Sequence, residues 1–203
     1  MDSKPFDLKR HLPSAAFVVV AALIVGAAGG ALLHAGVYDI GADAPHTKPV
    51  YWMIGDMRDR SIAVRARDIK IPADLGAAAR IATGAGLYAE MCSGCHLAPG
   101  MEKTEISQGL YPPAPELSRG LAHTPGEEFW MIKHGIKMTA MPAWGRTHSD
   151  ELIWDMVAFV RTLPTLSPAQ YQAAVKSAPA DHDAMMRDMP GMAAKGAAEP
   201  PRP

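Results

Sequence analysis

"AEMCSGCHLAPG", residues 89–100, holds both cysteines of a 203-residue chain, Cys92 and Cys95, three positions apart and with His96 directly behind the second. Three chemistries use cysteines at this spacing: a redox disulfide, half of a zinc site, and the attachment point of a covalent haem. A redox CxxC is ordinarily set in a βαβ pattern, and none flanks this one. Zinc takes four ligands, whereas CxxCH supplies at most three and no second cysteine pair completes the set. A covalent haem gives every residue of the motif a bond. Cys92 and Cys95, one helical turn apart, form thioethers to two vinyl groups, and His96 coordinates the iron.

One axial histidine leaves the sixth iron position to be filled. The stretch "KMTAMPAWG", residues 137–145, offers Met138 and Met141. A methionine alone is usually core filler, but Pro142 follows Met141 and stiffens its backbone, which suits a thioether that must stay on a metal.

The flanking segments read as helices. "DLGAAARIATGAGLYAEM" (74–91) spaces Leu75, Ile81, Leu87 and Tyr88 compatibly with a helix ending at the cysteines. "GLYPPAPEL" (109–117) is a loop, barred from regular structure by three prolines. "TPGEEFWMIKHG" (124–135) carries Thr124 as N-cap, Pro125 at the first helical position, Glu127 closing a capping box and Gly135 as a stop. "THSDELIWDMVAFVRTLP" (147–164) repeats Leu152, Ile153, Met156, Phe159, Val160 and Leu163 at helical steps and ends at Pro164. The expected fold class is all-α.

With these residues in place, 79–166 resembles the class I monohaem cytochromes c, a small all-α fold around one covalent haem. "CSGCH" matches the attachment motif and "MPAW" the axial methionine loop; Gly84 and Tyr88 match the N-terminal helix, Met156 and Phe159 the facing C-terminal helix. The resemblance implies haem c and its iron as cofactors, carried on Cys92 and Cys95 and ligated by His96 and Met141. It also implies that one of Pro112, Pro113 or Pro115 offers a carbonyl to the outer nitrogen of His96. The activity implied is one-electron transfer by a carrier that is not itself an enzyme. A haem subunit, or an enzyme or ligand sensor with a labile sixth ligand, is the alternative.

Around this domain the chain divides further. Ser14 to Leu33 carries no charge over roughly 20 residues, about 30 Å as a helix and enough to cross a bilayer. Lys4, Lys9 and Arg10 precede the run and no Lys or Arg follows in 34–45, so residues 1–13 are expected in the cytoplasm and the rest outside. This describes a single-pass protein of a bacterial inner membrane with its haem domain in the periplasm. Cleavage at "GAAGGA" (26–31) is the competing reading, but the run exceeds the roughly 7–15 residues of a signal core. Residues 34–78, interrupted by Pro45, Pro49 and Pro72, read as an extended stalk, and 167–203 as a largely disordered extension. Within that extension Met185, Met186, Met189 and Met192 beside His182 would suit Cu(I), although incidental methionines in a disordered tail are the plainer account.

A net charge of −1 gives no excess that would suggest nucleic acid, and the expected partners are the membrane and redox proteins: a respiratory complex, a periplasmic oxidoreductase or an oxidase. Over 79–166, seven Lys or Arg against nine Asp or Glu are too balanced to name a partner. Lys133, Lys137 and Arg146 surround the methionine loop in sequence, where a solvated face is the plain expectation. His123, His134 and His148 lie near helix ends and are expected to solvate or cap there, without a role at iron. Trp144 is read equally as core packing or as a contact to the haem.

Overall fold

A computed structural model describes residues 13–179. The described residues form helices joined by loops, without strands, and fall into two compact units, 13–44 and 45–179. The first unit contains α1 (Ala15–His34), capped by the Ser14 hydroxyl, which accepts from the Phe17 N–H at 3.2 Å. None of its residues is buried, and by length and composition it can cross a membrane.

The second unit comprises α2 (Lys48–Ala66), α3 (Ala78–Met91), α4 (Ser93–His96), α5 (Glu105–Gly109), α6 (Pro125–His134), α7 (Asp150–Thr162) and α8 (Pro168–Ser177), with short 3₁₀ turns between some of them. Its centre is the crossing of α3 and α7, and α7 also packs against α6. At the crossing Gly84 is pressed against the Asp155 carbonyl of α7. A Cβ there would overlap that oxygen and come within 2.8 Å of the Phe159 Cβ. Lacking a side chain, Gly84 lets the backbones touch and brings Tyr88 onto Phe159, ring centroids 5.5 Å apart. Both rings are fully buried, each side chain of this size contributing about 2–3 kcal/mol from lost apolar surface. Arg80 fastens the same crossing, reaching Asp155 at 2.8 Å and Asp74 at 3.0 Å. A second cluster stacks Phe129 of α6 on Trp154 of α7 at 4.3 Å.

Two expectations are corrected. Residues 34–78 do not form an extended stalk, because 48–66 is the helix α2, packed on α6 through buried Ile62 and Ala66. Pro49 falls in the first turn, where a helix has no hydrogen bond for it to break. The apolar period is obscured because only those two residues of α2 are buried while several large apolar ones are exposed. Nor does the folded part stop at 166. Ser167 and Gln170 form a reciprocal capping box that starts α8, and Tyr171 is buried against Tyr88 and Phe159. "SPAQ" is the same start signal as "TPGE" at 124–127, whose capping box is also formed, with Thr124 N–H donating to Glu127 at 2.8 Å. The methionine-rich segment 180–203 and residues 1–12 lie outside the described residues.

Candidate haem site

The cysteine motif sits where α3 gives way to α4. Cys92 caps α3, its N–H donating to the Tyr88 carbonyl at 3.0 Å, and the chain makes one further turn through Cys95 and His96. The two cysteines form no disulfide with each other, and both are half-buried. Burial, with Cys95 adding to it, pushes the Cys92 thiol up to about 12. The turn is pinned at several points. Ser93 donates to the Ala89 carbonyl at 2.7 Å, Thr104 donates to the Gly94 carbonyl at 2.5 Å, and the buried Tyr88 hydroxyl donates to the Leu97 carbonyl. Leu97 has φ 59° and ψ 179°, a conformation that costs a residue with a Cβ about 1–3 kcal/mol. Its buried side chain and the Tyr88 bond hold it there, so that the chain leaves His96 sharply.

His96 Nδ1 lies 2.9 Å from the Pro115 carbonyl, which selects Pro115 from the three prolines of that loop. A carbonyl only accepts, so Nδ1 carries the proton and Nε2 keeps its lone pair for a metal. Burial holds the imidazole below its ordinary pKa, opposed by the Pro115 bond, and so favours the neutral form that ligates. The loop also meets the segment ahead of α2. The His46 N–H donates to the Tyr111 hydroxyl at 2.9 Å, and the two rings stand edge to face at 5.3 Å.

Met141 is in the loop between α6 and the 3₁₀ turn Trp144–Arg146, half-buried, whereas Met138 is 92% exposed at the loop tip. The Met141 N–H donates to the Thr139 hydroxyl at 3.1 Å, that hydroxyl donates to the Ile136 carbonyl at 2.8 Å, and the Ile136 N–H donates to the Met141 carbonyl at 3.2 Å. Gly135 supports this turn from below the end of α6. Its φ of 64° and ψ of −173° suit glycine alone, and a Cβ would stand 2.7 Å from the Met141 oxygen and the Pro142 carbonyl carbon. The cysteines and His96 are therefore brought together by one helix junction. Met141 is delivered separately, from the end of α6.

The remaining candidates divide. Lys133 pairs with Asp150 at 2.6 Å and stands over the Phe129 ring at 5.4 Å, so it clips α6 to α7, while Lys137 and Arg146 are exposed. Buried His148, against expectation, packs edge to face on Trp144 at 5.5 Å. His134 is exposed beside Trp130, and His123 lies 3.7 Å from Glu127. Sequence reasoning missed Thr139 and Ser93, whose hydroxyls fix the two turns, and no spacing rule would have singled them out.

Among the described residues no group of three or more His, Cys, Asp or Glu is arranged to hold a bare metal ion. What is present is a thiol pair, a histidine with its outer nitrogen engaged and a thioether, the donor chemistry of an attached haem. Residues 79–160 match the family described as "Cytochrome C oxidase, cbb3-type, subunit III". This segment is a monohaem cytochrome c domain. The match covers less than half of the chain, and α2 and α8 lie outside it. No curated protein and no solved structure matched the chain. The cofactor of a cytochrome c domain is covalently attached haem c with its iron, and such a domain points to an electron carrier or a redox subunit.

Proposed function

We propose that this is a membrane-tethered periplasmic electron-transfer protein in which Cys92 and Cys95 hold the haem, His96 is the proximal ligand and Met141 the distal one. The observation that supports the reading best is the His96–Pro115 contact, because it fixes the tautomer that presents Nε2 to iron. When bound, the haem iron supplies a one-electron couple. The chain's own residues orient the two ligands, exclude water around Tyr88 and Phe159, and hold the proton of His96 at Nδ1. If His96 and Met141 both held the iron, no position would be left for an exogenous ligand and the thioether would raise the reduction potential, which favours a carrier over an enzyme or sensor.

On this reading residues 14–33 are the anchor, with 1–13 in the cytoplasm, and the haem domain includes α2 and α8 together with 79–166. The family description favours a more specific role, as the cytochrome subunit of a respiratory oxidase or a carrier that serves one.

The test uses protein matured in an exporting host. Haem should survive acid-organic extraction of the wild type and be released from the C92A/C95A variant. The oxidised wild type should be low-spin with the weak sulfur-to-iron band. Met141→Ala should lose the band, lower the potential and admit carbon monoxide, while Met138→Ala should keep it. Rapid carbon monoxide binding by the wild type would put the sensor or enzyme reading first.

A further inference from the structure

The helix α8 lies outside the matched segment 79–160, yet it is folded along the cysteine motif. At its start Pro168 rests on Gly100, where an added Cβ would come within 2.8 Å of the Pro168 Cβ. Beyond its end Ala178 meets Gly86 of α3, where an added Cβ would stand 3.2 Å from the Ala178 Cβ. α8 therefore runs antiparallel to residues 86–100 and reaches past both ends of the turn that holds Cys92, Cys95 and His96. The one residue it buries is Tyr171, 4% exposed, between these two contacts. Its ring meets Tyr88 and Phe159 at 6.4 and 6.3 Å, and its hydroxyl has Ser93 and Cys92 beside it. Half-buried Cys92 packs against the same cluster, and Ser93 is buried there.

Ferric haem carries one positive charge more than ferrous haem. Water stabilises that charge, so keeping water from the haem's surroundings favours the ferrous form and raises the reduction potential. We propose that α8 is a water shield over the Cys92 edge of the haem, and that the Tyr171 ring is the part of it that tunes the potential. The inference rests on Cys92 as an attachment point and deepens that reading, because it names a residue outside both the haem ligands and the matched segment that acts on the iron. Two observations give this role to Tyr171 rather than to α8 as a whole. The ring touches the α3–α7 crossing while its hydroxyl end reaches the cysteine turn, so it fills the space between them. The other α8 residues that pack on this cluster, Ala174 and Val175, are smaller and only partly buried, and leave no bulk to replace the ring. Loss of the ring opens a way for water to Cys92 while the crossing of Gly84 on α7 stays packed.

The experiment uses the full-length, haem-loaded protein and reads the reduction potential by redox titration, with hydrogen exchange of the peptide covering 89–98 as a second readout. Tyr171→Ala should shift the equilibrium towards ferric haem by about tenfold, a fall of about 59 mV for one electron. The sulfur-to-iron band should be retained, and exchange in 89–98 should be several-fold faster. Tyr171→Phe, which keeps the ring, should hold both readouts at wild-type values. Tyr171→Leu, which keeps apolar bulk without the reach of the ring, should fall between, and it carries the test if the alanine variant does not fold. Ile62→Ala, a buried truncation at the α2–α6 contact, should lower stability and leave the potential unchanged. An unchanged potential in the alanine and leucine variants, an equal fall in Tyr171→Phe or Ile62→Ala, or a fall seen only together with loss of the band overturns the inference while the haem stays attached. Mature wild type without covalent haem removes the attachment reading and the inference together.

Discussion

Gly84 and Gly135 each allow two stretches of backbone to touch, but in surroundings of opposite character. At Gly84 the neighbour is the α7 backbone, in a crossing closed by buried Tyr88, Phe159 and Tyr171 and tied by Arg80 to Asp155. At Gly135 the neighbours are the Met141 and Pro142 carbonyls, in a loop whose tip residue Met138 is almost fully exposed and whose turn depends on one threonine hydroxyl. The half of the site that carries the cysteines and His96 is therefore fastened by packed helices. The half that carries Met141 is fastened by a short turn. The same kind of residue should then be indispensable for folding in one place and for ligation in the other.

Gly84→Ala should have the largest effect. The added methyl meets a helix backbone, which cannot move aside as a flexible side chain would. A cost of about 3 kcal/mol or more is expected, at the upper end of what overpacking does. Denaturant unfolding of the haem-loaded protein measures it. A loss below about 1 kcal/mol would mean that the crossing can open, and the contrast with Gly135 would collapse.

Gly135→Ala comes next, and its signature should be different. The disallowed conformation alone costs about 1–3 kcal/mol, and the methyl also pushes on the carbonyls flanking the Met141–Pro142 bond. The domain should fold and keep its covalent haem, yet lose the sulfur-to-iron band and accept carbon monoxide. Retention of the band at wild-type strength would show that the loop yields without releasing the methionine.

The difference between these halves also explains what could be read in advance. Helix caps and periodic apolar positions are local, so α3, α6 and α7 were legible, as was the meeting of Gly84 and Tyr88 with Phe159 through the resemblance. The cysteine motif was legible because each of its residues has a chemical task. The helix α2 was not, because it buries two residues and exposes the rest, leaving no clean period. The helix α8 was passed over although "SPAQ" carried the same signal as "TPGE". The choice of Pro115 among three prolines depends on how the loop closes in space, which no spacing records.

Glu128 tests the framework that links the two halves, since α6 holds the methionine loop and α7 the crossing. Its side chain is 3% exposed, with Oε1 on Arg161 of α7 at 3.0 Å and no hydrogen-bond partner for Oε2 among the described residues. Burial, opposed by Arg161 and aided by Glu127, holds its pKa above the ordinary carboxylate range. A native state that keeps this proton more tightly than the unfolded chain loses stability as pH rises through the ordinary range to the raised value, and regains it in acid. Glu128→Gln removes that dependence. Melting temperatures of variant and wild type should converge in acid and separate towards neutral pH with the variant higher. A variant lower at neutral pH would mean that the charge on Glu128 is needed by Arg161.

The smallest effect is expected at Tyr111→Phe, which asks whether the fastened half extends to the chain ahead of α2. The substitution removes only the acceptor of the His46 N–H and leaves the edge-to-face ring contact in place. The bond is partly buried, so water replaces the lost acceptor in part, and a loss of about 0.5–1.5 kcal/mol in unfolding is expected. The haem spectrum and potential should not change, because the Pro115 carbonyl that orients His96 lies four residues further along and makes its own bond. A shifted potential at unchanged spin state would show that the segment before α2 acts on His96 through the 111–115 loop. In that case the histidine side, too, would be set in part by a loop, and the division drawn between Gly84 and Gly135 would have to be redrawn around Tyr111.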